Sequence, residues 1–370
     1  MSNDMNEAAE QLALHTFHLN DLHLLSGATM KEQDGWSVPA SYGDEFFEYA
    51  AVRERGAGLI DLSSRGRFHV TGSEAVQFLN GLITNDVKAL PENEWMPAAF
   101  PNVQGRLIGS ACVGRLKDGF LIDTEPATHQ KVFQTIQRFT LAGDFHVSDL
   151  TDKTSLLSIQ GKQANEIVSR VLGDVNVPKS GLAQTTWRQQ ELTVVRAMHT
   201  AEDSFDLIVD VENAQPLWQA LIEKGAHPVG YNAFEILRIE AGVPRYGVDV
   251  DESNVVTEAL EDAVSYSKGC YIGQEIIARI KYRGHVAKKL VGIVFDRPVK
   301  LDHNAKVASV DENEIGRITS TAFSPHLGST IGLGYVKYDY IAPGTELKVL
   351  SHAESVPARV TELPFVGTNR

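Results

Sequence analysis

Cysteine is scarce in this sequence, since only Cys112 and Cys270 occur in 370 residues. Two thiols are too few for a disulfide framework or for a metal site held by cysteines. We therefore expect a chain that folds without covalent cross-links and works in a reducing compartment.

Positive charge is also in deficit, because 34 Lys and Arg residues face 48 Asp and Glu residues, which leaves a formal net charge of −14. This balance argues against a protein that binds the phosphates of nucleic acids. No apolar run approaches the roughly 18 residues that a membrane helix needs, and the first residues lack the basic and apolar regions of a secretory signal. The sequence predicts a cytoplasmic protein without a nucleic-acid or membrane partner.

The apolar content is that of a globular protein, with 43% hydrophobic and 22% charged residues. The length exceeds that of one ordinary domain. We assign 1–45 to an N-terminal extension, whose role the sequence does not indicate. In 46–285 helices alternate with strands and hairpins, which predicts two interleaved α+β domains. In 286–370 short strands are separated by Gly, Pro, Asn and Asp, which predicts a small β-barrel.

The densest cluster of reactive side chains is 268–275, Lys-Gly-Cys-Tyr-Ile-Gly-Gln-Glu. Lys268 lies two residues before Cys270, and further cations follow up to Arg283. Neighbouring cations lower the pKa of a thiol and so increase its reactive thiolate fraction. This spacing predicts Cys270 as a nucleophile and Lys268 as its activating cation. The alternative is that Cys270 is a small buried hydrophobe, the common fate of a free cysteine.

The same octet resembles the signature of the YgfZ family, folate-binding relatives of the glycine-cleavage T protein (aminomethyltransferase) that support iron–sulfur enzymes. Over roughly residues 48 to 365 the chain also resembles other motifs of this superfamily, which lie at 58–63, 66–72, 82–87, 237–242, 316–320 and 331–336. The resemblance implies an α+β fold of three domains in a cloverleaf ring, with mixed α/β domains and a small C-terminal β-barrel. The ring would surround a channel that receives tetrahydrofolate.

Two departures from the aminomethyltransferases favour the YgfZ branch. In those enzymes the segment that matches 102–113 carries paired aspartates, one of them the catalytic acid, whereas this chain has Gly109 and Ser110. Neither side chain transfers a proton readily at neutral pH. Where the enzymes have an arginine-rich segment after the Glu-Ala-Gly motif, this chain has Lys268 and Cys270. The departures leave open whether the protein is an enzyme.

The resemblance also implies a folate site around Glu240, which matches the glutamate that binds the pterin in T proteins. A carboxylate suits that role because it accepts charge-assisted hydrogen bonds from the amino group and ring N–H of the pterin. From the residues alone, Glu240 is better explained as half of an ion pair on a helix surface, with Arg238 or Arg245.

Four further residues are assigned to this site by position: Tyr246, Asn85, Asp86 and Arg283. Tyr246 and Asn85 are expected to line the channel, and Asp86 is the nearest carboxylate that could replace the missing acid. The polar run Thr84, Asn85, Asp86 has a plainer explanation, because Asn and Asp often bond their own backbone in turns.

The favoured hypothesis is a YgfZ-type accessory protein that binds tetrahydrofolate or a one-carbon derivative of it. Its Cys270 would take part in the assembly or repair of iron–sulfur clusters, with iron–sulfur enzymes or cluster-assembly proteins as partners. A single cysteine cannot hold a cluster, which usually takes four protein ligands, so any contact with a cluster would be shared. The alternatives are a folate-dependent aminomethyltransferase or other one-carbon transferase, and a folate-binding module without chemistry at Cys270.

Overall fold

The computed structural model describes residues 14–141, 143–197, 199–302, 304–351 and 354–367. Its α-helices are α1 (Asn20–Leu25), α2 (Glu45–Ala50), α3 (Ala75–Leu82), α4 (His129–Gln137), α5 (Ala164–Leu172), α6 (Val211–Glu223), α7 (Tyr231–Glu240) and α8 (Gln274–Arg283). Within these ranges no helix combines the length and apolar character that a bilayer crossing requires.

Among the described residues, the strands form four sheets. The first ten are β1 (His15–Thr16), β2 (Thr29–Gln33), β3 (Trp36–Ser41), β4 (Gly58–Asp61), β5 (Gly66–Thr71), β6 (Trp95–Pro101), β7 (Leu107–Leu116), β8 (Gly119–Thr124), β9 (His146–Asp149) and β10 (Thr154–Gln160). The others are β11 (Leu182–Trp187), β12 (Gln190–Arg196), β13 (Ser204–Asp210), β14 (His227–Pro228), β15 (Lys288–Phe295), β16 (Lys306–Ala308), β17 (Glu314–Ser324), β18 (Ser329–Lys337), β19 (Glu346–Ser351) and β20 (Glu354–Thr361).

Residues 15–41 form a small sheet with strand order β1-β3-β2. Phe17 and Val38 of this segment are buried, and both belong to the core that includes Tyr49 and Leu237. The part of the predicted N-terminal extension that the structure describes therefore packs on the main body of the protein.

The two large sheets carry the mixed α/β part of the fold. One has six strands in the order β11-β12-β13-β10-β4-β14, and the other has five in the order β6-β7-β8-β5-β9. Strand β10 is buried throughout because it is covered on both faces: Leu157 and Ile159 contribute to one core and Leu156 to another. Successive side chains of a strand point to opposite faces, so one strand serves both cores.

The C-terminal sheet is a closed barrel with strand order β15-β18-β17-β16-β19-β20. Its interior is filled by apolar side chains that include Ile293, Val307 and Val349. Helix α7 joins the barrel to the rest, because Arg238 on this helix donates to Ser320 Oγ of β17 at 2.6 Å. The predicted α+β fold with a C-terminal β-barrel is confirmed.

Candidate functional site

A cavity of about 1070 Å³ lies where the two large sheets meet helix α7 and the edge of the barrel. Its wall includes Ser110 on β7, Asp123 on β8, Asp206 on β13, Phe234 on α7 and Val291 on β15. A cavity of this size can enclose a ligand as large as a typical cofactor. It is therefore the candidate ligand site of the protein.

One buried acceptor on the wall has no protein partner. Asp206 is 5% exposed, and its Oδ2 pairs with Nε2 of His199 at 2.7 Å. Within the described part of the chain, Oδ1 of Asp206 has no hydrogen-bond partner. An unpaired buried carboxylate oxygen costs free energy unless a bound molecule donates to it. Asp206 thus marks a place on the wall for a ligand with an N–H or O–H group.

A second carboxylate on the wall, Glu202, is held from behind by an arginine. Nη1 of Arg53 lies 2.9 Å from Oε1 of Glu202, and Nη2 lies 2.5 Å from Oε2 of Glu240. Burial alone would lower the pKa of Arg53, but the neighbouring carboxylates raise it above its ordinary value. Arg53 therefore stays charged and holds Glu202 in place.

The structure places Glu240 behind the cavity wall and not on it. Its side chain is fully buried, and its Oε1 accepts from the hydroxyl of Tyr49 at 2.8 Å and from Oγ of Ser324 at 2.5 Å. The ion pair that the plainer explanation expects is present, but the partner is Arg53 instead of Arg238 or Arg245. A direct role for Glu240 in folate binding stays a prediction, and these contacts favour a supporting role.

Glu125, another residue of the cavity wall, follows directly after β8. Oγ of Ser110 donates to Oε1 of Glu125 at 3.0 Å, and the backbone N–H of Tyr246 donates to Oε2 at 2.8 Å. Burial raises the pKa of the Glu125 carboxyl above its ordinary value, although Arg65 works in the opposite direction. Sequence reasoning missed Glu125, whose only signal is its place after the predicted strand 119–123.

Next to Glu125, Asp123 and Arg65 form a bidentate ion pair. Nε of Arg65 lies 2.9 Å from Oδ1 of Asp123, and Nη2 lies 2.6 Å from Oδ2. Both residues line the cavity, and neither is more than one-fifth exposed. The charge of Asp123 is therefore neutralised by a fixed partner, unlike that of Glu125.

Cys270 is exposed and lies outside the cavity wall. The alternative that it is a buried hydrophobe is therefore wrong. The segment packs closely against the β6–β7 turn through Gly273, which has φ +77° and leaves no space for a Cβ, since that atom would lie 2.4 Å from the carbonyl oxygen of Asn102. The predicted reactivity of the thiol stays a prediction.

Lys268, the predicted activating cation, is directed to the backbone. Its Nζ donates to the carbonyl oxygens of Ile83 at 2.9 Å and Asn85 at 2.6 Å. Lys268 is 7% exposed, and this burial lowers its pKa to about 8, although Asp86 works in the opposite direction. The ammonium group therefore fixes the loop that precedes β6 through these two hydrogen bonds.

The remaining predicted residues have structural contacts of their own. Asn85 donates to the carbonyl oxygen of Pro97 at 2.8 Å, and Asp86 accepts from the N–H of Lys88 at 3.0 Å, which is the turn chemistry expected of such a run. Tyr246 reaches the site through its backbone N–H, whereas its buried hydroxyl has no hydrogen-bond partner among the described residues. Arg283 is the exposed last residue of α8. The structure thus groups Lys268 with Asn85 and Asp86, apart from the cavity wall.

Comparisons with known proteins cover almost the whole chain. Residues 19–268 match the family model of the GCVT N-terminal domain, and residues 288–367 match that of the glycine cleavage T-protein C-terminal barrel domain. The aminomethyltransferase of Rubrobacter xylanophilus is 34% identical over 95% of this chain and 94% of its own length. That of Symbiobacterium thermophilum is 32% identical, with 98% of both chains covered.

The fold comparison agrees with these relatives. The crystal structure of the glycine cleavage system aminomethyltransferase T from Bartonella henselae superposes with a TM-score of 0.88, at 24% sequence identity, over 96% of this chain and 98% of that one. At this level of identity the superposition shows a shared fold.

Proposed function

The chain belongs to the glycine cleavage T-protein family, and on this premise we propose that it is a folate-dependent one-carbon transferase of the aminomethyltransferase kind, with tetrahydrofolate bound in the cavity. The predicted superfamily is confirmed, whereas the relatives named above are aminomethyltransferases and do not support the narrower YgfZ assignment. The observation that carries the proposal is the unpartnered buried Oδ1 of Asp206 on the wall of a cavity of suitable size.

The wall suits a reduced folate. The pterin ring presents an amino group and a ring N–H along one edge, and a carboxylate accepts both as short charge-assisted bonds. Asp206 and Glu202 line the cavity and would hold this edge. At another place on the wall, Nε of Arg245 is buried and has no partner among the described residues, so it would donate to the anionic glutamate tail.

The apolar part of the wall excludes water from the same space. It includes Leu62, Leu182, Val195 and Phe234. When bound, tetrahydrofolate supplies the nitrogen atoms that carry the one-carbon unit. The chain's own contribution is to orient the pterin by fixed carboxylates and to surround it with a dry wall, where charged groups interact more strongly than in water.

Two measurements test this function. Isothermal titration of the wild-type protein with tetrahydrofolate is expected to show one site with a dissociation constant in roughly the micromolar range. A glycine-cleavage assay with the lipoyl carrier protein is expected to show transfer of the aminomethyl carbon to tetrahydrofolate. Binding without transfer would refute the transferase activity, and the absence of binding would refute the folate site as well.

A second candidate function is the YgfZ-type accessory role, in which Cys270 acts on iron–sulfur enzymes or cluster-assembly proteins. The observation in its favour is that Cys270 is exposed, so a partner protein can reach the thiol. The test is rescue of iron–sulfur enzyme activity in cells that lack the gene, with wild type and Cys270→Ser compared. Equal rescue by both proteins would exclude a role of the thiol.

A further inference from the structure

We propose that Glu125 is the proton-transferring acid of this protein, and that it works from the end of β8 because β7 carries no carboxyl group at the corresponding place. The proposal rests on the proposed function. To that function it adds the residue that transfers the proton, a step that Gly109 and Ser110 cannot perform.

Strand register brings Glu125 to the place of the missing acid. Strands β7 and β8 are antiparallel, with Ala111 opposite Thr124 at the last paired position. The next pair in this register is Ser110 and Glu125, which lie side by side across the strands. The 3.0 Å hydrogen bond from Oγ of Ser110 to Oε1 of Glu125 confirms the contact. A carboxyl group is therefore present within hydrogen-bond distance of the side chain that stands where the aminomethyltransferases have an aspartate.

The partners of Glu125 are neutral donors. By contrast, two other carboxylates on the wall bond arginines, since Glu202 bonds Arg53 and Asp123 bonds Arg65. Glu125 instead accepts from a serine hydroxyl and a backbone N–H, and within the described ranges it forms no ion pair. A carboxylate that is bound by a fixed cation gives up its charge only at low pH, whereas one held by neutral donors can take up a proton at higher pH.

The charged groups around Glu125 do not prevent its carboxylate from taking up a proton. The guanidinium groups of Arg65 and Arg238 face it, and the first is neutralised by Asp123, the second by Asp249 and Glu235. Burial in the wall outweighs both and raises the pKa of the Glu125 carboxyl. The protonated form thus persists to higher pH than for an ordinary glutamate, as general acid–base catalysis near neutral pH requires.

The proton balance of one turnover is simple. The O–H bond of the Glu125 carboxyl breaks as its proton passes to the amine that leaves. The carbon–nitrogen bond to that amine breaks, as does the carbon–sulfur bond to the lipoyl carrier, while two N–H groups of tetrahydrofolate exchange their protons for bonds to the transferred carbon. The Glu125 carboxylate takes one of these two protons, and the lipoyl sulfur takes the other and leaves as a thiol. Glu125 returns to its starting state, ammonia leaves with the added proton, and no group is oxidised or reduced.

The experiment compares wild type with Glu125→Gln, which keeps the shape but cannot exchange a proton. Its amide oxygen can accept from the N–H of Tyr246, and its NH2 group can donate to Oγ of Ser110. We expect the turnover number to fall by roughly 10² to 10⁴-fold, the usual contribution of a general acid or base. The dissociation constant for tetrahydrofolate is expected to change by less than about threefold, a free-energy change below roughly 1 kcal/mol. Glu166→Gln, on the exposed face of α5, is the matched control and is expected to behave as wild type.

A readout independent of turnover is the infrared carbonyl band of a protonated carboxylic acid in the ligand-free protein. We expect this band at mildly acidic pH in wild type and in Glu166→Gln, and its loss in Glu125→Gln. A double variant with Glu125→Ala and Ser110→Asp returns a carboxyl group to β7. It is expected to recover at least tenfold in turnover over Glu125→Ala alone.

The outcomes separate the two proposals. Full turnover by a folded Glu125→Gln variant refutes the role of Glu125 and leaves the proposed function intact. A wild-type protein that neither binds tetrahydrofolate nor transfers the carbon refutes the proposed function, and the role of Glu125 with it. Loss of turnover without loss of folate affinity, together with recovery in the double variant, supports both.

Discussion

Nη2 of Arg53 lies 2.5 Å from Oε2 of Glu240, and this buried ion pair connects the cavity wall to the barrel. The same guanidinium bonds Glu202 on the wall, and the same carboxylate bonds Ser324 on β17. Glu240 thus supports Glu202, a residue of the cavity wall, through Arg53. A direct contact between Glu240 and folate, which the sequence suggests, stays a prediction.

Replacing Glu240 by alanine is expected to lower the free energy of unfolding by about 3–5 kcal/mol, because it leaves the buried charge of Arg53 half-paired. Folate affinity should fall less than stability does, since Glu202 keeps its own bond to Arg53. Urea unfolding and calorimetric titration measure the two effects. A variant with wild-type stability but no folate binding would instead establish Glu240 as a ligand contact.

Asp206→Asn is expected to weaken tetrahydrofolate binding by about 1.5–3 kcal/mol, the usual value of a hydrogen bond to a charged group. The reason is that one acceptor for the pterin N–H groups loses its charge. Asp210→Asn is the matched control, because Asp210 ends the same strand and is exposed. Equal affinities of the two variants would show that the pterin does not bind to Asp206.

Lys268 should make stability rise with pH above neutrality. Its pKa is lowered from 10.5 to about 8 by burial in the folded protein, so between these values the unfolded chain holds the proton more firmly. Burying the charged ammonium group costs free energy in the folded state only. Raising the pH through this window removes that charge, so the free energy of unfolding increases. Below the folded pKa the cost is present in full.

Urea unfolding at about pH 8 and about pH 10, in wild type and Lys268→Met, measures this contribution. The wild-type protein should gain stability relative to the variant as the pH rises. Lys162→Met, at an exposed position, controls for general effects of lysine removal. A constant difference between wild type and Lys268→Met would show that Lys268 has an ordinary pKa.

The two thiols should differ in reactivity and in their response to folate. Cys112 lines the cavity, and burial together with Asp123 raises its pKa to about 12, whereas Cys270 is exposed. A disulfide reagent is therefore expected to label Cys270 quickly and Cys112 slowly. Tetrahydrofolate should slow only the labelling of Cys112, and Cys270→Ser should abolish only the fast labelling. Protection of Cys270 by folate would place the ligand outside the cavity.

Much of the fold could be predicted because its signals are local. Periodic apolar residues predict a helix over 232–241, and α7 spans Tyr231–Glu240. A short apolar run bounded by loop residues predicts a strand over 290–295, and β15 spans Lys288–Phe295. Strand β20 was missed, because Pro357 and charged residues interrupt its apolar pattern. In the barrel its alternate side chains are nevertheless buried, since β15 and β19 pair with both of its edges.

The candidate site could not be predicted in the same way, because it depends on contacts between distant residues. Glu240 is 187 positions from Arg53, and no local pattern indicates that the two are paired. Glu125 contacts Ser110 because of the register of β8 on β7, which a prediction of helices and strands does not determine. Cys270 and Lys268 were singled out for their closeness in sequence, but the backbone carbonyls of Ile83 and Asn85 hold the lysine ammonium.

The cavity wall draws on residues from Gln33 to Gly367, so it is assembled from nearly the whole length of the chain. On the ribosome, the mixed α/β part emerges first and the residues that complete this wall emerge last. Only when the last barrel strand and Leu363 have been synthesised are all of the lining residues present. A nascent chain interrupted before the barrel consequently lacks part of the wall.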